Sequence, residues 1–212
     1  MKDIVIIGSG GLAKEVCWLI NRNNIIKSEW NILGYISKEK IGTIVYGYPI
    51  IGDDNWFKNY GSKLSVVCAI GDGRIRKKII DQYSIYKNLE FPNIISNEVI
   101  LDKSVRIGKG CIIFPHTLLT VDIRVSDFVL LNYGCIIGHD VMIDSFSTVN
   151  PGAHVSGNVK INERVTVGVG ANILQGLEIG ENSIIGGGAT VIGNIPSDSV
   201  AVGVPAKIKR RC

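Results

Sequence analysis

Three histidines are the side chains of this sequence best suited to accept a proton near neutral pH: His116, His139 and His154. His139 is followed directly by Asp140, whose carboxylate could accept a hydrogen bond from one ring nitrogen and so fix the tautomer. An imidazole held in this way could act as the general base when an acyl group is transferred to an amine or a hydroxyl. The residues alone favour a surface histidine beside a surface aspartate, and both interpretations stay open at this point.

The histidines lie within a six-residue repeat that runs from Leu101 to Ile195. Every sixth residue is a branched aliphatic: Leu101, Ile107, Ile113, Leu119, Val125, Leu131, Ile137, Ile143, Val149, Val155, Ile161, Val167, Ile173, Ile179, Ile185 and Val191. Four residues after each comes a mostly small or β-branched residue, from Val105 to Ile195. A period of six fits neither a helix nor one long strand. It predicts a parallel β-helix of short strands, with three hexapeptides in each coil.

The register of the repeat separates the three histidines. Within the coil of three hexapeptides, His116 and His154 fall on nearly the same side, whereas His139 falls on a different one. His139 follows Ile137-Gly138 and so occupies a corner, where its side chain can leave the coil. Cys135 occupies an inward small position, which argues against a covalent role for its thiol.

Residues 1–94 have a different pattern. The run DIVII at 3–7 ends in a glycine turn and a helical segment, and further strands are predicted near 32–36, 49–51, 64–70 and 89–94. Helices are predicted near 53–59 and 74–85, so the alternation favours a small parallel sheet flanked by helices. The turn GSGGLA fits the dinucleotide fingerprint, but the second strand ends in Ser37-Lys38 without a carboxylate, so we do not expect an NAD site.

The same glycine turn could hold a phosphate at the helix N-terminus, or it could be only a tight turn. The four cations that follow Gly73 could likewise attract phosphate or simply face solvent: Arg74, Arg76, Lys77 and Lys78.

Composition and charge argue against some classes of function. The net charge is +4 and no basic stripe is present, so a nucleic-acid partner is not expected. No apolar run approaches the length of a membrane span. The five cysteines form no CxxC pair, which favours reduced thiols in a cytoplasmic protein.

Four segments carry a family resemblance: VIIGSGGLAKEV, AIGDGRIRKK, IIGHDVMI and GGGATVIGNIP…VAVGVPAK, in this order over nearly the whole chain. With them the chain resembles the left-handed β-helix acyltransferases. Within these it is similar to the sugar acetyltransferases of bacterial surface-glycan synthesis, including the bacillosamine-pathway N-acetyltransferases and the sialic acid O-acetyltransferases. The resemblance implies an α/β Rossmann-like domain over 1–94, a left-handed parallel β-helix over 95–196 and a C-terminal cap or tail over 197–212.

The resemblance also implies an activity. It implies acetyl-CoA as co-substrate, no metal, His139 as general base and Asp140 as the residue that orients it. The acceptor implied is the amino group of a nucleotide-linked amino sugar, with O-acetylation of a sugar such as sialic acid as the alternative. Acetyl-CoA contacts are implied at Thr148, Gly157, Val169 and Gly187, with Gly157 contributing its backbone N–H. Acceptor contacts are implied at Gly10, Gly11, Leu12, Ser37, Lys38 and Asp72.

The unbroken phase of the repeat leaves no loop that could wall in an acceptor, so a cleft requires a second surface. The resemblance implies a homotrimer that supplies it. Two other classes stay open. A zinc carbonic anhydrase would need three histidines to meet, and the intervals from His116 to His139 and from His139 to His154 give no close pair. A non-catalytic sugar-binding module is the other.

Overall fold

The computed structural model describes residues 1–211, apart from the side chains of Asn59, Arg210 and Arg211; Cys212, the last residue of the predicted tail, lies outside the described residues. The chain forms two units. One comprises Met1–Gly71 with Ile75–Ile94, and the other comprises Asp72–Arg74 with the chain from Ile95 onward. In the part of the chain described, no helix is both long and apolar enough to cross a bilayer.

The first unit is an α/β sheet. Its elements are β1 (Lys2–Ile7), α1 (Gly11–Ile26), β2 (Trp30–Ile36), β3 (Ile44–Val45), β4 (Tyr48–Gly52), a 3-10 helix (Trp56–Asn59), β5 (Leu64–Cys68), α2 (Gly73–Tyr83) and β6 (Leu89–Glu90). The sheet order is β3-β4-β2-β1-β5-β6, and all pairs are parallel except β3 with β4. β5 is buried along its whole length, as an apolar run at the centre of a parallel sheet predicts.

The α/β class of the first unit is confirmed, with differences in detail. The helix predicted near 53–59 is only the 3-10 turn, and the β3–β4 hairpin was not predicted. The strand predicted near 89–94 is two separate strands, because β6 ends at Glu90 and Ile94–Ile95 joins the coil.

The second unit is a parallel β-solenoid with three faces. The first face contains Ile94–Ile95, Ile112–Ile113, Leu130–Leu131, Thr148–Val149, Thr166–Val167, Ile184–Ile185, Ser199–Val202 and Lys207–Arg211. The second face contains Ile100–Leu101, Leu118–Leu119, Ile136–Ile137, His154–Val155, Asn172–Ile173 and Thr190–Val191. The third face contains Arg106–Ile107, Arg124–Val125, Met142–Ile143, Lys160–Ile161 and Glu178–Ile179. The predicted β-helix is confirmed.

From Ile112–Ile113 to Thr190–Val191 each short strand buries its second residue, whereas Leu101 in the first coil is exposed. Ile113, Leu131, Ile143 and Ile161 are fully buried, and they belong to one continuous apolar core with the small inward residues. Inward hydroxyls are satisfied within this core; for example, Ser147 Oγ donates to the Asn162 carbonyl at 2.8 Å. The six-residue period therefore encodes the core directly, because burial recurs once per strand.

The corners are equally regular. A left-handed backbone, with φ between 56° and 75°, recurs every six residues at Gly110, His116, Asp122, Phe128, Gly134, Asp140, Phe146, Gly152, Asn158, Arg164, Gly170, Gly176, Asn182 and Gly188. Only glycine adopts this conformation without strain, and asparagine and aspartate tolerate it best among the others. The repeated conformation fixes the direction in which each preceding corner residue projects.

One expectation about the repeat was wrong. Strands within a face pair at an interval of one coil of three hexapeptides, as Ile143 does with Ile161, but Ile179 pairs with Ile195 and Ile185 with Ala201, at a shorter interval. The coil therefore loses two residues after Val191. Ile195 takes the large aliphatic position of a new hexapeptide, and not the fourth position after Val191.

Candidate active site

His139 lies at the corner between the second and third faces, directly after Ile136–Ile137. Its side chain is about half exposed (51%), and its Nδ1 is 2.8 Å from Oδ2 of Asp140. Asp140 has the left-handed backbone of the corner (φ 59°). An imidazole that donates its Nδ1 hydrogen to this carboxylate carries a lone pair on Nε2, which is the atom that can accept a proton.

The backbone of this corner is held by the neighbouring coils. The N–H of Asp140 donates to the carbonyl of Val121 in the preceding coil at 3.1 Å. The N–H of Asn158 in the following coil donates to the carbonyl of His139 at 2.7 Å. The imidazole is thus carried by a hydrogen-bonded ladder, and not by a free loop.

Gly157 lies one coil further along, at the same corner. A β-carbon on Gly157 would be 2.5 Å from Cε1 and 2.8 Å from Cδ2 of His139, and closer still to Nε2. The Nε2 edge of the ring therefore lies directly against Gly157. Among the described residues, the N–H of Gly157 donates to no backbone carbonyl.

Val169 and Gly187 lie at the other border of the second face, at its corner with the first face. They belong to successive coils, and a β-carbon on Gly187 would lie 3.4 Å from the Val169 carbonyl oxygen. Val169 is exposed. The second face is thus bordered by His139 with Gly157 on one side and by Val169 with Gly187 on the other, and their roles toward acetyl-CoA stay predictions.

Thr148 is not brought together with these residues. It lies on the first face, within Thr148–Val149, and only 3% of it is exposed. Its predicted contact with acetyl-CoA stays a prediction.

The other two histidines lie apart from His139. His116 is at a corner between the first and second faces, with Nε2 3.3 Å from Oε2 of Glu98. His154 points outward from its strand on the second face. Over residues 1–211, no cluster of three histidine, cysteine, aspartate or glutamate side chains could hold a metal ion.

A cavity of about 490 Å³ opens in the first unit, where β1 and β2 end. Its lining includes Gly8, Ser9, Ser37 and Lys38, together with Lys78 of α2. Two of the predicted acceptor contacts, Ser37 and Lys38, therefore belong to one pocket beside the glycine turn.

The remaining contacts predicted in the glycine turn begin α1. Gly10 is the N-cap, Gly11 is the first helical residue and Leu12 is the second. Added β-carbons on Gly10 and Gly11 would meet no atom within 4 Å, so both backbones are open to an approaching group. Their N–H groups lie at a helix N-terminus, which favours phosphate.

Asp72 caps the second helix. Its Oδ1 accepts a hydrogen bond from the N–H of Arg74 at 2.8 Å, which stabilises the first turn of α2. Asp72 and Arg74 belong to the second unit, where Arg74 Nη2 donates to the Asn182 carbonyl at 3.1 Å. The predicted contact of Asp72 with the acceptor stays a prediction.

The three other cations of α2 have three different environments. Arg76 is buried, and its Nη1 donates to the carbonyls of Ile70 (2.6 Å) and Gly71 (3.1 Å), which holds the loop before Asp72. Lys77 pairs with Asp81 at 3.0 Å. Lys78 alone of these three lines the cavity.

Burial makes the thiols of Cys68 and Cys135 poorly reactive. Burial raises the pKa of Cys135 to about 12 and that of Cys68 to about 12. Cys135 Sγ lies 3.3 Å from the Asn150 carbonyl, inside the coil. A thiol so protonated and enclosed is a poor nucleophile, in agreement with the sequence analysis.

Residues 3–83 match the family model described as the PglD N-terminal domain. PerB from Caulobacter crescentus, solved with CoA and GDP-perosamine, is 29% identical and covers 99% of this chain and 98% of its own, with a TM-score of 0.90. The acetyltransferase domain of PglB from Neisseria gonorrhoeae is 27% identical, covers 99% of this chain and 100% of its own, and has a TM-score of 0.91. Over nearly its whole length the chain is similar to acetyltransferases of known structure. The resemblance inferred from the sequence is confirmed, and the stacked parallel coils fit a left-handed β-helix.

Two further matches complete the comparison. WeeI from Acinetobacter baumannii is 29% identical, covers 99% of this chain and 100% of its own, and has a TM-score of 0.89. A curated relative, the uncharacterized protein L142 of Acanthamoeba polyphaga mimivirus, is 32% identical over 125 residues, or 59% of this chain. The chain spans about a quarter (24%) of the length of that relative.

Sequence reasoning missed a polar cluster beside the glycine turn. Ser9 Oγ lies 2.8 Å from Ser37 Oγ and donates to Oε1 of Glu39 at 2.8 Å. The carboxylate missing from positions 37 and 38 is therefore present one residue later, folded back onto the glycine turn. The signal was the sequence Ser37-Lys38-Glu39 itself, because β2 ends at Ile36 and a short extension can turn back.

Proposed function

We propose that this protein is an acetyl-CoA-dependent sugar acetyltransferase that acts on the amino group of a nucleotide-linked amino sugar. The observation that carries the proposal is the position of the His139 ring, with Nδ1 2.8 Å from Asp140 and its Nε2 edge against Gly157. The complex of PerB with CoA and GDP-perosamine supports the substrate classes, since its chain and this one match over 99% of this sequence.

The reaction is a direct attack. The amine nitrogen of the sugar attacks the thioester carbonyl carbon, and Nε2 of His139 accepts the proton that this nitrogen loses. Asp140 stabilises the imidazolium that forms, and the N–H of Gly157 donates to the developing oxyanion. Collapse of the tetrahedral intermediate breaks the carbon–sulfur bond, and His139 returns its proton to the departing thiolate. The products are the acetylated sugar and free coenzyme A.

The first unit is proposed to hold the nucleotide part of the acceptor. Its cavity is lined by two cations, Lys38 and Lys78, and by Gly8 and Ser9, which directly precede the open turn at Gly10 and Gly11. Cations beside open backbone at a helix N-terminus suit a diphosphate. Leu12, Ser37 and Asp72 are the other proposed contacts of the acceptor. Val169 and Gly187 are proposed to border the acetyl-CoA groove on the second face, with Thr148 as a further contact.

The working assembly is proposed to be a homotrimer. The second face is one side of a regular coil. Two apolar side chains are exposed there, Ile136 on the face itself and Val169 at its border. A neighbouring copy would cover such a surface and turn it into a groove. The protein is proposed to work in the cytoplasm, a location supported by the free thiols of Cys17, Cys68, Cys111 and Cys135.

The proposal is tested by coenzyme A release from acetyl-CoA in the presence of a panel of acceptors. The panel contains nucleotide-linked amino sugars, the matching sugars with a hydroxyl in place of the amine, and sialic acid. Release with amino sugars and an amide in the product by mass spectrometry supports the proposal. If coenzyme A is released only with hydroxyl acceptors, the activity is O-acetylation and not N-acetylation. If calorimetry detects no binding of acetyl-CoA, the proposal is overturned. Sedimentation velocity of the active protein tests the trimer.

A further inference from the structure

We infer that Gly157 is a positioning residue for the general base, because its missing side chain provides the space that the His139 imidazole occupies. The inference rests on the proposed function and assigns Gly157 a role separate from its backbone N–H. Three ring atoms of His139 lie within 3 Å of the point where a β-carbon on Gly157 would stand. Real β-carbons do not approach other atoms so closely, so the ring could not keep its place beside an alanine.

The backbone of Gly157 gives no other reason for a glycine. Its φ lies outside the left-handed range, which belongs instead to the next residue, Asn158 (φ 56°). Other coils carry side chains at the same corner position, as Val121, His139 and Gln175 do. The position therefore accepts a side chain elsewhere, and the three atoms nearest to a β-carbon here all belong to the neighbouring imidazole.

Gly193 is the natural control. It also follows an inward aliphatic by two residues, as Gly157 does, because Val191 and Val155 are the inward residues of second-face strands. A β-carbon on Gly193 would meet no atom within 4 Å. Gly193→Ala therefore removes a glycine from the same corner position without placing a β-carbon against the His139 ring.

Gly157→Ala is expected to fold, because the group that must yield is the end of a side chain and not the backbone. The ring can yield only by rotating, which either lengthens the 2.8 Å contact with Asp140 or moves Nε2 away from the attacking amine. A misplacement of about 1 Å can reduce a rate by about 10²-fold. Alanine keeps the N–H of residue 157, so binding of acetyl-CoA is expected to change little.

The experiment compares kcat and both KM values of Gly157→Ala and Gly193→Ala with those of the unchanged protein. We expect kcat to fall by about 10²-fold in Gly157→Ala, with KM for acetyl-CoA within about threefold, and Gly193→Ala to stay within about twofold in both. In the double variant His139→Ala/Gly157→Ala, kcat should equal that of His139→Ala alone, because the imidazole that would clash with a β-carbon at position 157 is absent. The inference is overturned if Gly157→Ala keeps full kcat, or if it lowers kcat by the same factor whether His139 is present or replaced by alanine.

A second readout separates this inference from the proposed function. In protein with isotope-labelled histidine, the ring resonances of His139 are expected to shift in Gly157→Ala and to stay in place in Gly193→Ala. If the protein shows no acetyl transfer but these shifts occur, the positional relationship stands and the proposed function fails. If Gly157→Ala is less stable, the added His139→Ala should restore its melting temperature; if neither the shifts nor this rescue is seen, the inference fails.

Discussion

The carboxylate of Asp140 meets Nδ1 of the residue immediately before it, His139, at 2.8 Å. Consecutive side chains of an extended strand point to opposite faces, so two neighbours in a strand could not make this contact. The left-handed backbone at Asp140, with φ 59°, allows it. The same corner conformation that closes every coil therefore also orients the imidazole.

Replacing His139 by alanine is expected to lower kcat by about 10²- to 10⁴-fold, which is the usual contribution of a general base. The matched control is His116→Ala, because His116 contacts Glu98 and belongs neither to the proposed catalytic pair nor to the proposed acetyl-CoA contacts. Coenzyme A release at saturating acetyl-CoA measures both variants. Equal rates for His139→Ala and the unchanged protein would remove His139 from the mechanism.

Two substitutions at Asp140 separate its carboxylate from its backbone. Glycine and asparagine both accept the left-handed conformation, so neither is expected to disturb the corner. Asparagine can still accept a hydrogen bond from Nδ1, whereas glycine cannot. We therefore expect kcat to fall by about 10-fold or more in Asp140→Gly, and by less in Asp140→Asn, at unchanged melting temperature. A melting temperature that falls along with kcat would indicate a structural role instead.

The cavity of the first unit is tested through neighbouring lysines of α2. Lys78 lines the cavity, whereas Lys77 pairs with Asp81. Loss of a charged donor to a phosphate typically weakens binding by about 10- to 100-fold. We expect this loss for GDP and UDP in Lys78→Ala, and little change in Lys77→Ala, by calorimetry at one fixed ionic strength. Equal effects of the two substitutions would mean that only the overall charge matters.

The buried thiols predict resistance to alkylation. Burial raises the pKa values of Cys68 and Cys135 from 9.0 to about 12, so both remain protonated at pH 8. We expect a Cys212→Ser variant to react with iodoacetamide at pH 8 only after unfolding, with full activity before it. The folded state also holds these protons more tightly than the unfolded chain, so its stability should fall as the pH rises from about 9 toward 12. Rapid labelling of the native protein would contradict both expectations.

Most of the coil could be predicted because its signal is local and repeated. Ile143 and Ile161 each occupy the large aliphatic position of a hexapeptide, and both face the core. One register of the repeat therefore predicts the inward residue of every such hexapeptide. The shortening after Val191 could not be seen, because Ile195 is an aliphatic residue that fits either register. The corner conformation was also hidden, since phenylalanine and arginine adopt it at Phe128 and Arg164 against their usual preference.

The candidate site was predictable in part. His139 and Asp140 are neighbours in the sequence, and Gly157 follows His139 by one full coil of three hexapeptides, which was enough to stack that glycine over the ring. The contact itself needed coordinates, because side-chain packing between coils leaves no periodic signal. Glu39 was missed because its role depends on how the chain turns after β2. The burial of Thr148 likewise depends on packing that its own segment does not encode.

The antiparallel strand Lys207–Arg211, paired with Ser199–Val202, has a consequence for self-association. A stack of identical parallel rungs presents an unpaired edge that could recruit another chain and grow into a fibre. On the first face that edge is occupied by a strand running the other way. A further rung that continues the parallel ladder would therefore meet an antiparallel strand at this face.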